Sequence, residues 1–207
     1  ARNLFDYSPV SLWVEDFSGV KARLDEARAQ GIQDFRVFLS VHPEFVSRCM
    51  QEIRVLNVNR QTLQMFGADT QEELLANLNQ VFRDEMHDTF AEQLIDLWNG
   101  KTEQTREVVN YSLGGSLINI HMQFSVMPDH LEHWDLVLLS LVDITARKKA
   151  EAYLEYLGNH DSLTRLRNRA FYVDELNRIP RTRPWPLSEL VLALHRSKRL
   201  PHSDGPV

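Results

Sequence analysis

Residues 117–126 read Leu-Ile-Asn-Ile-His-Met-Gln-Phe-Ser-Val. In an extended chain Ile118, Ile120, Met122, Phe124 and Val126 take one side, and Asn119, His121, Gln123 and Ser125 the other. A helix would scatter these apolar side chains around its circumference, so the period of two predicts a strand with one face on a core. Gly114-Gly115 just ahead predicts a tight hairpin turn with both residues accepting positive φ, which makes Thr105 to Leu113 the partner strand. Pro128-Asp129-His130 turns the chain again. Trp134 to Val142 is nearly all apolar, as a central strand covered on both faces would be.

The first half supplies two more strands and the helices to cover them. Ser11 to Phe17 is rich in aromatic and β-branched types and reads as a strand after a short lead over residues 2–8. Ser18 is a candidate N-cap for a helix from Val20 to Gln30 that stops at Gly31. Gln33 to Leu39 is a short helix. Pro43 starts another, with Phe45, Val46 and Met50 inward. Ile53 to Val58 is the second strand, and Asn59 caps a short helix ended by Gly67. Thr70-Gln-Glu-Glu is a capping box that opens a helix through Leu78. Asp84 to Trp98 is a long amphipathic helix with Phe90, Leu94, Leu97 and Trp98 as its stripe, closed by Asn99-Gly100. The order predicts an α+β domain, a five-stranded antiparallel sheet with flanking helices.

Composition narrows the function. The 207 residues are 43% hydrophobic and 25% charged, ordinary values for a folded chain. One cysteine, Cys49, excludes an internal disulfide framework and a cysteine zinc site. No apolar run approaches the ~20 residues of a membrane span. The start is no signal peptide and lacks an initiator Met, so the expectation is a cytoplasmic protein given as a fragment or trimmed chain. Charge changes sign along the sequence. Residues 1–143 hold 11 Lys and Arg against 22 Asp and Glu, a net of −11, and residues 144–207 hold 12 against 7, a net of +5. Two units with different tasks are expected, and nucleic-acid binding by the acidic one is not.

From Asp143 the pattern turns helical. Ala146, Ala150, Tyr153 and Leu157 recur at steps of four, three and four, an a/d seam over two heptads. It serves equally a coiled coil or a helix packed on its own domain. Gly158 ends it, and a second helix runs from Arg169 to Arg178. Residues 180–186 hold three prolines, Leu187 to Leu194 is a candidate strand, and Lys198 to Val207 reads as unstructured.

This order of elements resembles a PAS domain over residues 3–145. The last strand running into Asp143-Ile144-Thr145 and a charged helix carries the resemblance most strongly. Asn57-Val58-Asn59-Arg60 and the helix ending at Phe66-Gly67 add to it. The resemblance implies a sensor over residues 1–143 and a signalling helix over residues 144–158. It also implies an interior cavity, for which Met65, Phe66, Ile120, Met122 and Phe124 are candidate lining, though the same residues equally fill a core. Asp143, Ile144, Thr145, Ala146, Ala150, Tyr153 and Leu157 are the candidate signalling and dimer residues. No fixed cofactor is expected. The implied partners are a second copy of the chain and a small molecule or signalling protein that the sequence does not name.

A second resemblance begins after Gly158. Asp161-x-Leu163-Thr164-x-Leu166-x-Asn168-Arg169 is similar to the opening of a GGDEF domain, the family that joins two GTP molecules into cyclic di-GMP. The following strand departs from that family. Ala193 and His195 stand where metal-binding Asp residues would be, Ser197 replaces a Phe, Pro201 replaces a nucleotide-contacting Asn, and Lys198 alone agrees. No Gly-Gly-Asp/Glu-Glu-Phe sequence occurs before Val207. Mg²⁺ takes hard carboxylate oxygens, and phosphoryl transfer depends on it. The segment 159–207 is therefore expected to be an incomplete GGDEF-like piece without catalytic residues, with a frameshifted tail after Pro180 as an open alternative.

Other chemistry is weakly signalled. His42, His87, His121, His130 and His133 show no metal-ligand spacing. Cys49 lies outside any flavin-reactive segment and reads as an inert thiol. The expected function is a bacterial sensory PAS module that passes a change through its exit helix to a GGDEF-type output. Two alternatives stand: a diguanylate cyclase whose catalytic region is missing here, and a ligand-free interaction domain.

Overall fold

The computed structural model describes residues 2–83, 85–161 and 163–178. The elements in chain order are α1 (Arg2–Asp6), β1 (Ser11–Asp16), α2 (Ser18–Ala29), α3 (Phe35–Val41), α4 (Pro43–Glu52), β2 (Arg54–Val58), α5 (Arg60–Phe66), α6 (Gln71–Ala76), α7 (Leu78–Val81), α8 (Met86–Trp98), β3 (Glu103–Tyr111), β4 (Leu117–Val126), β5 (Val137–Asp143), α9 (Thr145–Asn159) and α10 (Arg169–Arg178). The five strands form one sheet in the order β2-β1-β5-β4-β3, and every neighbouring pair is antiparallel. The α+β architecture with a helix-flanked antiparallel sheet is the one the pattern predicts. The candidate strand Leu187 to Leu194, the residues Ala193, His195, Ser197, Lys198 and Pro201, and the whole tail from residue 180 lie outside the described residues.

The alternation in β4 is realised in full. Ile118, Ile120, Met122, Phe124 and Val126 are all buried. The hairpin ahead of it differs from the expectation. Only Gly115 has positive φ, at 87°. Gly115 N donates to Ser112 O and Ser112 N to Ser116 O, so Leu113, Gly114 and Gly115 make a three-residue loop whose last position is left-handed.

Strand β5 is central but not covered on both faces. It begins at Val137, and its outward residue Val142 is 42% exposed. The helices cover one face of the sheet only, so the outward positions Leu138, Ser140 and Val142 are partly or fully exposed.

Local polar chemistry sets the helix ends. Ser18 is not the N-cap of α2. The helix already includes it, and Asp16 Oδ1 accepts from Ser18 N at 2.8 Å. Asp34 caps α3 by accepting from Val37 N. The helix opened by the Thr70 capping box breaks at Asn77 instead of running on to Leu78. Asn59 does more than cap α5. Its Oδ1 accepts from Leu12 N, Thr62 N and Thr62 Oγ1, and its Nδ2 donates to Phe5 O and Val10 O. The side chain is fully buried and satisfied, and it ties β1, α1 and α5 together.

The chain forms two compact units, one up to Ala150 and one from Glu151 on. The exit from β5 fastens the start of α9 to the first. Asp143 Oδ1 accepts from Thr145 N, Thr145 Oγ1 accepts from Asn119 N, and Ile144 N donates to Asn119 O. Ile144 is buried, and Arg147 and Lys148 pair with Glu107 of β3. The first turns of α9 thus belong to the sheet domain.

Candidate ligand-binding site

Between the two apolar clusters of the first unit lies a cavity of about 350 Å³. Strand periodicity builds its floor: Trp13 and Glu15 from β1, Val108 and Asn110 from β3, Met122 from β4, Leu139 and Leu141 from β5. Helical periodicity builds its roof: Met86, Thr89, Phe90 and Gln93 recur at three or four along α8. Phe17, Met50, Ile53, Val55, Leu78, Asn79 and Phe82 close the remaining sides. The size falls within the range of small-molecule sites.

The lining is mostly apolar; Thr89 Oγ1 donates to Glu85 O and Asn79 is exposed, while three buried polar atoms are unsatisfied. Trp13 Nε1, Gln93 Nε2 and Asn110 Oδ1 have no hydrogen-bond partner among the described residues. Each such atom costs about 1–3 kcal/mol if nothing meets it. The only other orphan among the described residues, Arg106 Nε, does not line this cavity, and its Nη2 reaches Asp96.

Glu15 is the sharpest case. It is 7% exposed and carries neither ion pair nor hydrogen bond among the described residues. Burial alone pushes its carboxyl up to about 8. Asp16 next to it behaves oppositely. Burial raises it too, but hydrogen bonds from Ser18 and the Arg54 guanidinium together hold it below the usual range. The strand sends Asp16 to partners and Glu15 into the cavity. The pairing of β1 with β2 slips beside it, Val14 facing Asn57 and Glu15 facing Val55, so that Leu56 is an extra residue on β2.

Of the five lining residues expected from sequence, the structure places Met122 on the cavity. The other four lie elsewhere. Phe66 meets the edge of Trp13 at 5.9 Å, and Phe124 meets Phe17 at 5.1 Å. Ile120 is sealed, and Met65 is half-buried against the same cluster. Neighbouring rings or core residues take up the space they face. The polar lining is not among the residues expected from sequence. Its signal is a polar residue at an apolar beat: Glu15 between Trp13 and Phe17, Asn110 after Val108, Gln93 beside Phe90 and Leu94.

The seam residues Ala146, Ala150, Tyr153 and Leu157 are all exposed, Tyr153 at 61% and Leu157 at 38%. In the unit that follows Ala150, the motif forms a compact turn. Asp161 Oδ1 accepts from Leu163 N, Thr164 N and Thr164 Oγ1, which together hold the carboxyl below its ordinary range. Arg165 takes a positive φ of 55°, and Asp161 N donates to Leu166 O. Asn168 Nδ2 donates to Gly158 O, and its Oδ1 caps α10 by accepting from Phe171 N. Leu163 and Leu166 are exposed, and Arg169 opens α10.

Burial pushes the Cys49 thiol up to about 12, which leaves it unreactive at neutral pH. Among the described residues no group of three His, Cys, Asp or Glu side chains could hold a metal, and no helix is long and apolar enough to cross a membrane. His42 bonds to Glu44, His87 to Pro43 O and His130 to Asp135, while His133 lies 4.0 Å from Glu132.

Neither a protein-family model nor a curated protein matches the chain. Solved structures do resemble it. One is a domain of a sensory box sensor histidine kinase/response regulator from Geobacter sulfurreducens, at 15% identity and a TM-score of 0.42, with 69% of this chain and 90% of that one covered. Another is a LOV protein from Rhodobacter sphaeroides, at 18% and 0.48, covering 74% and 69%. A third is the PAS domain of a LuxR-family transcriptional regulator from Burkholderia thailandensis in complex with ethanol, at 8% and 0.44, covering 70% and 96%. At these identities and TM-scores the likenesses carry nothing about ligand or output.

Proposed function

We propose that the unit up to Ala150 is a PAS-type sensor that holds a small molecule in the cavity beneath β1, β3, β4 and β5. The observation that carries this reading is the convergence of Glu15, Trp13 Nε1, Gln93 Nε2 and Asn110 Oδ1 on one apolar space. A cavity lined only by hydrocarbon would be equally well a packing defect. Polar groups at four places on its wall are costly unless a ligand or bound water completes them, and a ligand also fills the apolar remainder.

Signal would leave through β5. Leu139 and Leu141 line the cavity, and two residues on, Asp143 and Thr145 fasten the start of α9 to the edge of Asn119. Ligand binding that favours one packing of the sheet thereby biases the helix. The exposed seam Ala146, Ala150, Tyr153 and Leu157 would join a second copy of the chain, and the GGDEF-like start at Asp161 marks the kind of output that follows. Substitution of the Mg²⁺ ligands by Ala193 and His195 makes this chain incompetent in cyclic di-GMP synthesis.

Native mass spectrometry of the purified chain tests the sensor and the dimer together. The expected spectrum shows a dimer carrying a small-molecule adduct, and Leu157→Asp gives monomers that keep the adduct. Bare monomers from the unaltered chain would refute both.

A further inference from the structure

We propose, given that the cavity is a ligand site, that its occupant is a small organic cation: a protonated amine on an apolar body, with Glu15 as its counter-charge. Glu15 lies on the cavity wall with no positive group from the protein beside it. Charged groups on the surrounding elements are engaged elsewhere or turned outward. Arg54 of β2 goes to Asp16, Glu52 of α4 to Arg23, Glu92 of α8 to Arg36, and Asp96 of α8 to Lys101 and Arg106. His87 bonds to Pro43 O, Asp88 is solvent-facing, and β5 contributes no charge before Asp143. Glu15 is the single titratable residue of the lining.

A glutamine could make neutral hydrogen bonds there, but only a carboxyl can ionise. With no positive group of the protein beside it, Glu15 stays protonated in the empty cavity, and a cationic ligand is what would favour its ionised form. The walls suit a cation as well. Trp13, Phe17, Phe82 and Phe90 all line the space, and aromatic faces attract ammonium groups. Asn110 Oδ1 offers a further acceptor for ammonium hydrogens. The Trp13 and Gln93 N–H groups are left for an oxygen acceptor on the same molecule. The net charge of −11 over residues 1–143 draws cations toward the domain.

The probe pair is tyramine and tyrosol, which share a skeleton and differ in ammonium against hydroxyl. Calorimetric titration of the full chain at pH 8.5 is expected to show tyramine binding at least tenfold more tightly. An ammonium–carboxylate pair requires ionised Glu15, so acidification opposes binding. Affinity for tyramine is expected to fall about 20-fold from pH 8.5 to 6.5, while that for tyrosol stays level. Glu15→Gln removes both the preference and the pH dependence, and its thermal unfolding reports whether the variant folds. Equal binding of the two probes, with no effect of Glu15→Gln, would overturn the cation assignment and leave the cavity as a ligand site. Binding of neither would overturn the ligand site and the assignment with it.

Discussion

The two units of the chain leave opposite kinds of group unsatisfied. Up to Ala150 two clusters of apolar side chains are buried, while Trp13 Nε1, Gln93 Nε2 and Asn110 Oδ1 lack partners and burial alone shifts the Glu15 carboxyl. From Glu151 to Arg178 the reverse holds. The Asp161, Thr164 and Asn168 side chains are all hydrogen-bonded, while no described residue is buried and Leu163 is 93% exposed. A buried polar orphan calls for a small partner that can enter. Exposed apolar side chains call for a surface. The first unit is therefore a core with a vacancy of chemistry, and the second is a well-formed turn without a core of its own among the described residues.

The comparison breaks most easily by truncation. Phe66→Ala removes a sealed ring from beside Trp13 and is expected to cost ~3–5 kcal/mol, read as a lowered urea midpoint. Leu166→Ala, the same kind of change in the second unit, is expected to cost less than about 0.5 kcal/mol. Similar losses at both sites would erase the distinction.

Glu15 sharpens it through pH. Its folded pKa of about 8 lies above the ordinary 4.5, so the folded chain holds a proton that the unfolded chain releases. Stability is thus fully present below pH 4.5 and declines as pH rises from there through 8, by on the order of 5 kcal/mol in all. Unfolding curves of Glu15→Gln across that window should lack this decline.

Asn59→Ala is the smaller control within the first unit. It removes the side-chain acceptor of Leu12 N and is expected to cost about 2 kcal/mol, again by urea unfolding.

Much of this architecture is legible in the sequence because period and punctuation are local. The alternation from Ile118 to Val126, the stop at Gly67 and the Asn59 cap each follow from nearest-neighbour chemistry. What was hidden depends on packing across the sheet. Whether Phe124 or Met122 faces the cavity is decided by where Phe17 sits, which no strand period encodes. The nearly all-apolar run ending at Val142 does not reveal that helices lie on one side only. The Glu15 signal was present as an acid at an apolar beat of β1, but only the fold shows that Arg54 serves Asp16 instead.

The central claim is that an unpaired acid waits in the sensor cavity for a charged ligand. Its most direct test is nuclear magnetic resonance of the Glu15 carboxyl carbon, titrated with and without tyramine. The account predicts a midpoint near pH 8 in the free chain and an ionised carboxylate at pH 6.5 with saturating tyramine. A midpoint near 4.5, unmoved by tyramine, would contradict it.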